Sequence, residues 1–155
     1  MHHPAPGPVR GGSNGGLLVA ATLAQRPDAC RAAVCAVPLT DMVRFPRFLI
    51  ARLWIPEYGD PDVPEELAWL HAYSPYHQVV DGTSYPATLV TTGEEDSRVD
   101  PCHARKLAAR LQAASSGEVL LRVEAAAGHG QGKPATKQIE ERADVLAFLA
   151  WQLGF

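Results

Sequence analysis

Leu17, Leu18, Ala20, Ala21 and Leu23 form an apolar run that ends near Arg26-Pro27. Alanine and leucine lose little side-chain freedom in helical backbone, so the run predicts a helix that stops before the proline. "AAVCAVP", Ala32 to Pro38, is a short unbroken apolar stretch bounded by turn chemistry, the pattern of a strand buried on both faces. "FPRFLIARLWIPEYG" and "VPEELAWLHAYSP" read as two helical or irregular segments, the second stopped by Ser74-Pro75. "YPATLVTTG", Tyr85 to Gly93, is the next buried strand, with Pro86 tolerable at its beginning, and it runs into the acidic loop "EEDSRVDP". "PCHARKLAARLQAA" is an amphipathic helix with Pro101 in its first turn, "EVLLRVEA" a third strand, and "ATKQIEERADVLAFLAWQL" a closing helix. No internal repeat interrupts this alternation. It predicts an α/β fold whose strands lead into crossover helices and pair in parallel: a mostly parallel sheet with flanking helices.

The start of the chain does not follow the pattern. "MHHPAPGPVR" carries Pro4, Pro6 and Pro8, which remove backbone donors that a central strand needs. Residues 1–10 are therefore expected to be an irregular, disordered segment, with residues 11–155 as the folded part. With no strand ahead of Gly11, the edge of "AAVCAVP" would lie open to solvent or to another chain.

Composition narrows the function classes. At 155 residues and 46% hydrophobic, the chain is long enough for one ordinary domain. A net charge of -3, with Lys and Arg scattered, offers no basic face for nucleic acid. No apolar run reaches bilayer length, and the first residues lack the basic-then-apolar order of a secretory signal, so no membrane partner is expected. Cys30, Cys35 and Cys102 are odd in number and match no metal-ligand spacing. They read as reduced thiols of a cytoplasmic protein, a periplasmic location staying open. His2 and His3 beside a proline read as a loose end and not as a ligand pair.

The chemistry concentrates in three loops. "GGSNGG" places Gly11, Ser13 and Gly15 in the G-x-S-x-G spacing of a nucleophile elbow, where small residues permit a sharp strand-to-helix turn. A glycine-rich turn with a serine helix cap gives the same letters, so the stretch alone leaves both readings open. In an open parallel sheet the functional loops lie beyond the carboxyl ends of the strands. Asp96 and Arg98 follow the second recognised strand, and His129, in "AGHGQGKP", follows the third. The order Ser13, Asp96, His129 is that of α/β-hydrolase triads. Glu94, Glu95 and Asp100 are further carboxylates in the same loop.

"GGSNGGLLVAATLAQRPD", "LTDM", "WIPEYG", "YSPYHQV", "EEDSRVDPCHARKL" and "AGHGQGKPATKQIEE" resemble, in order and spacing, successive blocks of the catalytic domain of the prolyl oligopeptidase family, serine peptidases of the α/β-hydrolase fold. The resemblance extends from Gly11 to the C-terminus and covers the C-terminal part of that domain. It implies Ser13 as nucleophile, His129 as general base and Asp96, selected by its register to Arg98 and Pro101, as the residue orienting the imidazole. It implies that the Asn14 N–H forms half of an oxyanion hole, its side chain lying near the substrate residue. Arg98 would bond substrate carbonyls, and Trp54, Tyr58 and Val99 would line a proline-sized pocket. Val37 and Leu39 match the family's small aliphatics beside that pocket and read equally well as core. Neither a metal nor an organic cofactor is implied.

The implied reaction is cleavage after proline in short peptides through an acyl-enzyme. Family members also carry a β-propeller, the first half of the hydrolase domain and an upstream tyrosine that supplies the second oxyanion donor. Without these and without a strand before the elbow, the expectation is a truncated form with weak or no activity alone. One competing reading is a non-catalytic fragment that binds a complementary chain, or itself, through a sheet edge. Another is an esterase or acylaminoacyl-peptidase-like hydrolase, because a triad fixes the reaction class better than the leaving group.

Overall fold

A computed structural model describes residues 6–130 and 133–155. Strands β1 (Val9–Gly12), β2 (Ala32–Ala36), β3 (Ala87–Gly93) and β4 (Val119–Glu124) lie side by side in that order, every neighbouring pair parallel. Helix α1 (Asn14–Gln25) joins β1 to β2, α5 (Cys102–Ala114) joins β3 to β4, and α6 (Ala135–Leu153) closes the chain. Between β2 and β3 the predicted irregular segments become two 3-10 turns, Phe45–Arg47 and Ala51–Trp54. The short helix α2 (Ile55–Tyr58), the helix α3 (Pro64–Tyr73) and a final turn α4 (Pro75–Gln78) follow. Pro64 occupies a first-turn position of α3, where its missing N–H costs nothing, and Ser74-Pro75 ends it.

Strand periodicity distributes the core. On β2, Ala33 and Cys35 face α1 and α5, packing with Val19, Leu23, Val90, Leu107 and Leu111. Ala32 and Val34 face the opposite way, against Leu89 and the α6 residues Val145 and Phe148. A third cluster, Leu17, Leu39, Met42, Phe45, Leu70 and Val99, ties α1 to the β2–β3 connection. It lies next to the carboxyl ends of the strands.

One expectation fails at the start of the chain. Val9 and Arg10 are not irregular: they open β1, which pairs from Val9 opposite Ala33 to Gly12 opposite Ala36. Pro6 and Pro8 precede the paired residues, so neither removes a ladder donor, and an edge strand needs bonds on one side only. Arg31 N–H also donates to the Gly7 carbonyl at 3.3 Å. A strand does lead into the glycine-rich turn and covers the edge of β2, and among the described residues β1 and β4 are the two edges of the sheet. The expectations for residues 1–5, including His2, His3 and Pro4, lie outside the described residues.

Among the described residues no helix is long and apolar enough to cross a membrane. Cys30, Cys35 and Cys102 are all free thiols, the first two buried.

Candidate active site

The turn after β1 is built by close packing. A Cβ added at Gly11 would stand 2.0 Å from the Gly15 carbonyl oxygen, so the approach of β1 to α1 requires glycine there. Ser13 follows with φ 57 and ψ −118, a strained conformation for a residue with a side chain. Two backbone bonds hold it: its N–H donates to the Ala36 carbonyl at 2.9 Å, and its carbonyl accepts from Leu17 at 3.0 Å. The Ser13 hydroxyl thus projects from the turn at the N-terminus of α1. The first N–H groups of that helix have no carbonyl partner within it.

Asp96 approaches from the β3 side. Its carboxylate is fully buried. Oδ1 accepts the backbone N–H groups of Arg98 at 2.9 Å and Val99 at 3.0 Å, leaving Oδ2 for another donor. Burial alone would raise its pKa. The bonds from His129, Arg98 and Val99 outweigh that and hold it below the ordinary carboxyl value, so it stays ionised.

His129 bridges the two, with Nδ1 2.7 Å from Asp96 Oδ2 and Nε2 2.9 Å from Ser13 Oγ. With an ionised carboxylate at Nδ1, that nitrogen carries the proton and Nε2 accepts from the serine. The loop is seated against the end of β3. The N–H groups of Glu94 and Glu95 donate to the carbonyls of Glu124 and Ala127, and a Cβ at Gly93 would collide with the Ala127 carbonyl oxygen at 2.2 Å. Gln131 and Gly132 of the "AGHGQGKP" stretch lie outside the described residues.

Two hollows flank the serine. A small one, about 100 Å³, is lined by Ser13, Asn14, Leu39, Trp54, Tyr58 and Val99, together with Glu57 and Arg98. A larger cleft of about 570 Å³ runs past Gly12, Ser13, Val37 and His129, with Ser97, Gly128 and Gly130 on its walls. Arg98 lines both. Its backbone N–H therefore holds the acid while the residue borders both hollows. The residues singled out from sequence thus fall into one site, with Val37 on the cleft and Leu39 on the pocket. Asn14 lines the pocket beside Ser13, and its N–H begins α1.

Glu57 escaped the sequence reading. Its spacing gave a signal, since Trp54, Glu57 and Tyr58 stand at i, i+3 and i+4 and share one helical face. Burial, and then the Glu57 carboxylate, push the Tyr58 phenol up to about 12, so it remains protonated. Cys102, close by in sequence, is pushed up to about 12 by burial and by Asp100, which leaves it a poor nucleophile. Among the described residues no group of three or more histidine, cysteine, aspartate or glutamate side chains is arranged to hold a metal ion.

A family model described as the prolyl oligopeptidase family matches residues 7–155. The chain belongs to the prolyl oligopeptidase family. A prolyl endopeptidase of Elizabethkingia miricola is 42% identical over a 149-residue alignment, with 94% of this chain and 21% of that protein covered. A solved structure from a study of inter-domain dynamics in two prolyl endopeptidases superposes with a TM-score of 0.92 at 50% identity, covering 95% of this chain and 22% of the other. Prolyl oligopeptidase B of Galerina marginata, solved with a 35mer hydrolysis and macrocyclization substrate, gives 0.88 at 36% identity, with 95% and 21% covered. The chain spans about a fifth of the length of these relatives, and its parallel sheet with flanking helices is part of the prolyl oligopeptidase catalytic fold.

Proposed function

We propose that the chain is a serine peptidase of the prolyl oligopeptidase type, cleaving after proline in short peptides through an acyl-enzyme. The observation that carries this reading is the continuous line from Ser13 Oγ to His129 Nε2, at 2.9 Å, and from His129 Nδ1 to Asp96, at 2.7 Å. A serine hydroxyl is a weak nucleophile at neutral pH. His129 takes its proton as Oγ attacks the scissile carbonyl, and the Asp96 carboxylate stabilises the imidazolium that results. His129 then hands the proton to the leaving amine, which departs and leaves an ester on Ser13. Water, deprotonated by the same imidazole, releases the product acid and restores the serine. The Asn14 N–H at the start of α1 stabilises the oxyanion, aided by the positive end of the helix.

The small hollow supports proline at the residue before the scissile bond. Trp54, Tyr58 and Val99 offer flat and branched apolar surface against a pyrrolidine ring, and Arg98 donates to substrate carbonyls. The test compares hydrolysis of a peptidyl-prolyl amide with that of its alanyl counterpart. A clear preference for proline is expected. Equal rates would point to the esterase-like hydrolase instead.

Among the described residues β1 is an edge strand, which favours a second property, association of the chain with a second copy of itself, because unpaired edge groups invite another strand. Sedimentation at increasing concentration should show dimer. A clean monomer at high concentration contradicts it.

A further inference from the structure

The walls of the proposed proline pocket come from distant parts of the chain: Leu39 follows β2, while Arg98 and Val99 follow β3. Behind them lies a buried histidine that the proposed chemistry does not use. His103, in the first turn of α5, is fully buried. Its Nδ1 accepts two backbone N–H groups, from Thr40 at 3.3 Å and from Asp41 at 3.1 Å, and its own carbonyl accepts the Thr40 hydroxyl at 2.7 Å. A ring nitrogen accepting two donors carries no proton, so the imidazole is the neutral Nε2–H form. Phe48 packs edge-on against it, ring centroids 5.0 Å apart.

The same junction is tied a second time. The fully buried Asp41 carboxylate pairs with Lys106, one turn further along α5, and with Arg44 at 2.8 Å. Lys106 lies 4.2 Å over the Tyr76 ring, and the Tyr76 N–H donates to the Thr40 carbonyl at 3.0 Å. These bonds converge on Thr40 and Asp41, the two residues next to Leu39. They fasten that segment to the helix that begins three residues after Val99.

We propose that His103 is a positioning residue: it latches the segment carrying Leu39 to the loop carrying Asp96, Arg98 and Val99, and so sets the width of the proline pocket. The inference rests on the peptidase reading above for what the pocket binds. Burial pushes the His103 imidazole down to about 4, which keeps it an acceptor at neutral pH. Among the described residues the Thr40 and Asp41 N–H groups have no other acceptor, so losing Nδ1 leaves two buried donors to be rehydrated and the segment free to move.

The experiment compares the parent chain with His103→Asn, whose amide oxygen stands where Nδ1 stood, and with His103→Gln, which places it one bond too far. Three probes are used. A simple alkyl fluorophosphonate reads the serine and its base, a matched pair of peptidyl-prolyl and peptidyl-alanyl phosphonates reads the pocket, and amide hydrogen exchange at Thr40 and Asp41 reads the latch. The asparagine variant should keep the prolyl-to-alanyl rate ratio within about twofold. The glutamine variant should lower it about tenfold or more while its fluorophosphonate rate changes less than about threefold, with faster exchange at both amides. A glutamine variant with the parent ratio and parent exchange overturns the proposal. If the parent takes no fluorophosphonate, the peptidase reading fails and the latch is judged by exchange alone, unchanged exchange in the glutamine variant overturning it. Should that variant not fold, Thr40→Val, which deletes only the hydroxyl bond to the His103 carbonyl, carries the test. A reduced ratio supports the latch and an unchanged one overturns it.

Discussion

The carboxyl ends of the strands and the outer face of α6 are finished to different degrees. At the strand ends, both oxygens of the buried Asp96 are bonded, both nitrogens of His129 have partners, and the strained Ser13 backbone is held on each side. Along α6 and β4, Ile139 and Leu146 (each 66% exposed) and Trp151 (59%) face solvent, beside a hollow of about 530 Å³ lined by Leu120, Leu121 and Phe148. The site is therefore assembled by local devices, a glycine-permitted turn, a backbone-gripped carboxylate and a loop seated on β3, and owes little to the outer apolar surface. Changes at the first region should cost chemistry. Changes at the second should leave it intact.

The largest break in that contrast is Asp96→Asn. The buried site would hold an amide where His129 needs an anion, and kcat should fall by roughly 10³–10⁴ in a peptide-amide assay with little loss of fold. Gly11→Ala comes next. Its Cβ must push the Gly15 carbonyl aside, and a displacement near 1 Å at the nucleophile is worth about 10² in rate. Gly15→Ala, from the same motif, meets nothing within 4 Å and sits in a helix, so it should keep activity and gain up to about 1 kcal/mol in a denaturant titration. Equal damage from the two alanines would contradict the account of the elbow.

A smaller effect concerns pH. His103 is held at about 4 in the folded chain against 6.5 when free. Between those values the unfolded chain binds a proton that the folded chain does not. Stability should therefore fall as pH drops through that window, by up to roughly 1.4 kcal/mol per pH unit, with His77, also lowered by burial, acting in the same direction. Asp96 and Asp41, whose carboxyls are held below 3.8, contribute at and above that value and lose their contribution only in stronger acid. The melting temperature of His103→Asn should accordingly vary less between pH 4 and 6.5 than that of the parent. The smallest effect on chemistry is expected for Trp151→Glu, on the exposed face of α6, which should leave labelling of Ser13 by a fluorophosphonate unchanged.

Much of the fold was legible because long periodic segments report their own structure. The helices Cys102–Ala114 and Ala135–Leu153 and the strand Ala87–Gly93 lie where hydrophobic spacing puts them. β1 was not legible, since "VRGG" has one apolar residue, two glycines and a proline just ahead of it, and its pairing with β2 is a tertiary event. Ser13, Asp96 and His129 could be picked out because a parallel sheet gathers the loops after its strands at one end. The His103 contacts could not, because residues 40 and 103 meet only after the chain has crossed the sheet, and no local spacing announces a ring nitrogen accepting two distant N–H groups.

The central claim is that this chain builds a working nucleophile. Labelling of the purified protein with an alkyl fluorophosphonate, followed by mass spectrometric location of the adduct, tests it most directly, because the probe needs an activated serine and little substrate recognition. One adduct is expected, on Ser13, and it should disappear in Ser13→Ala. A folded, soluble chain that takes no adduct, or takes it elsewhere, would contradict it.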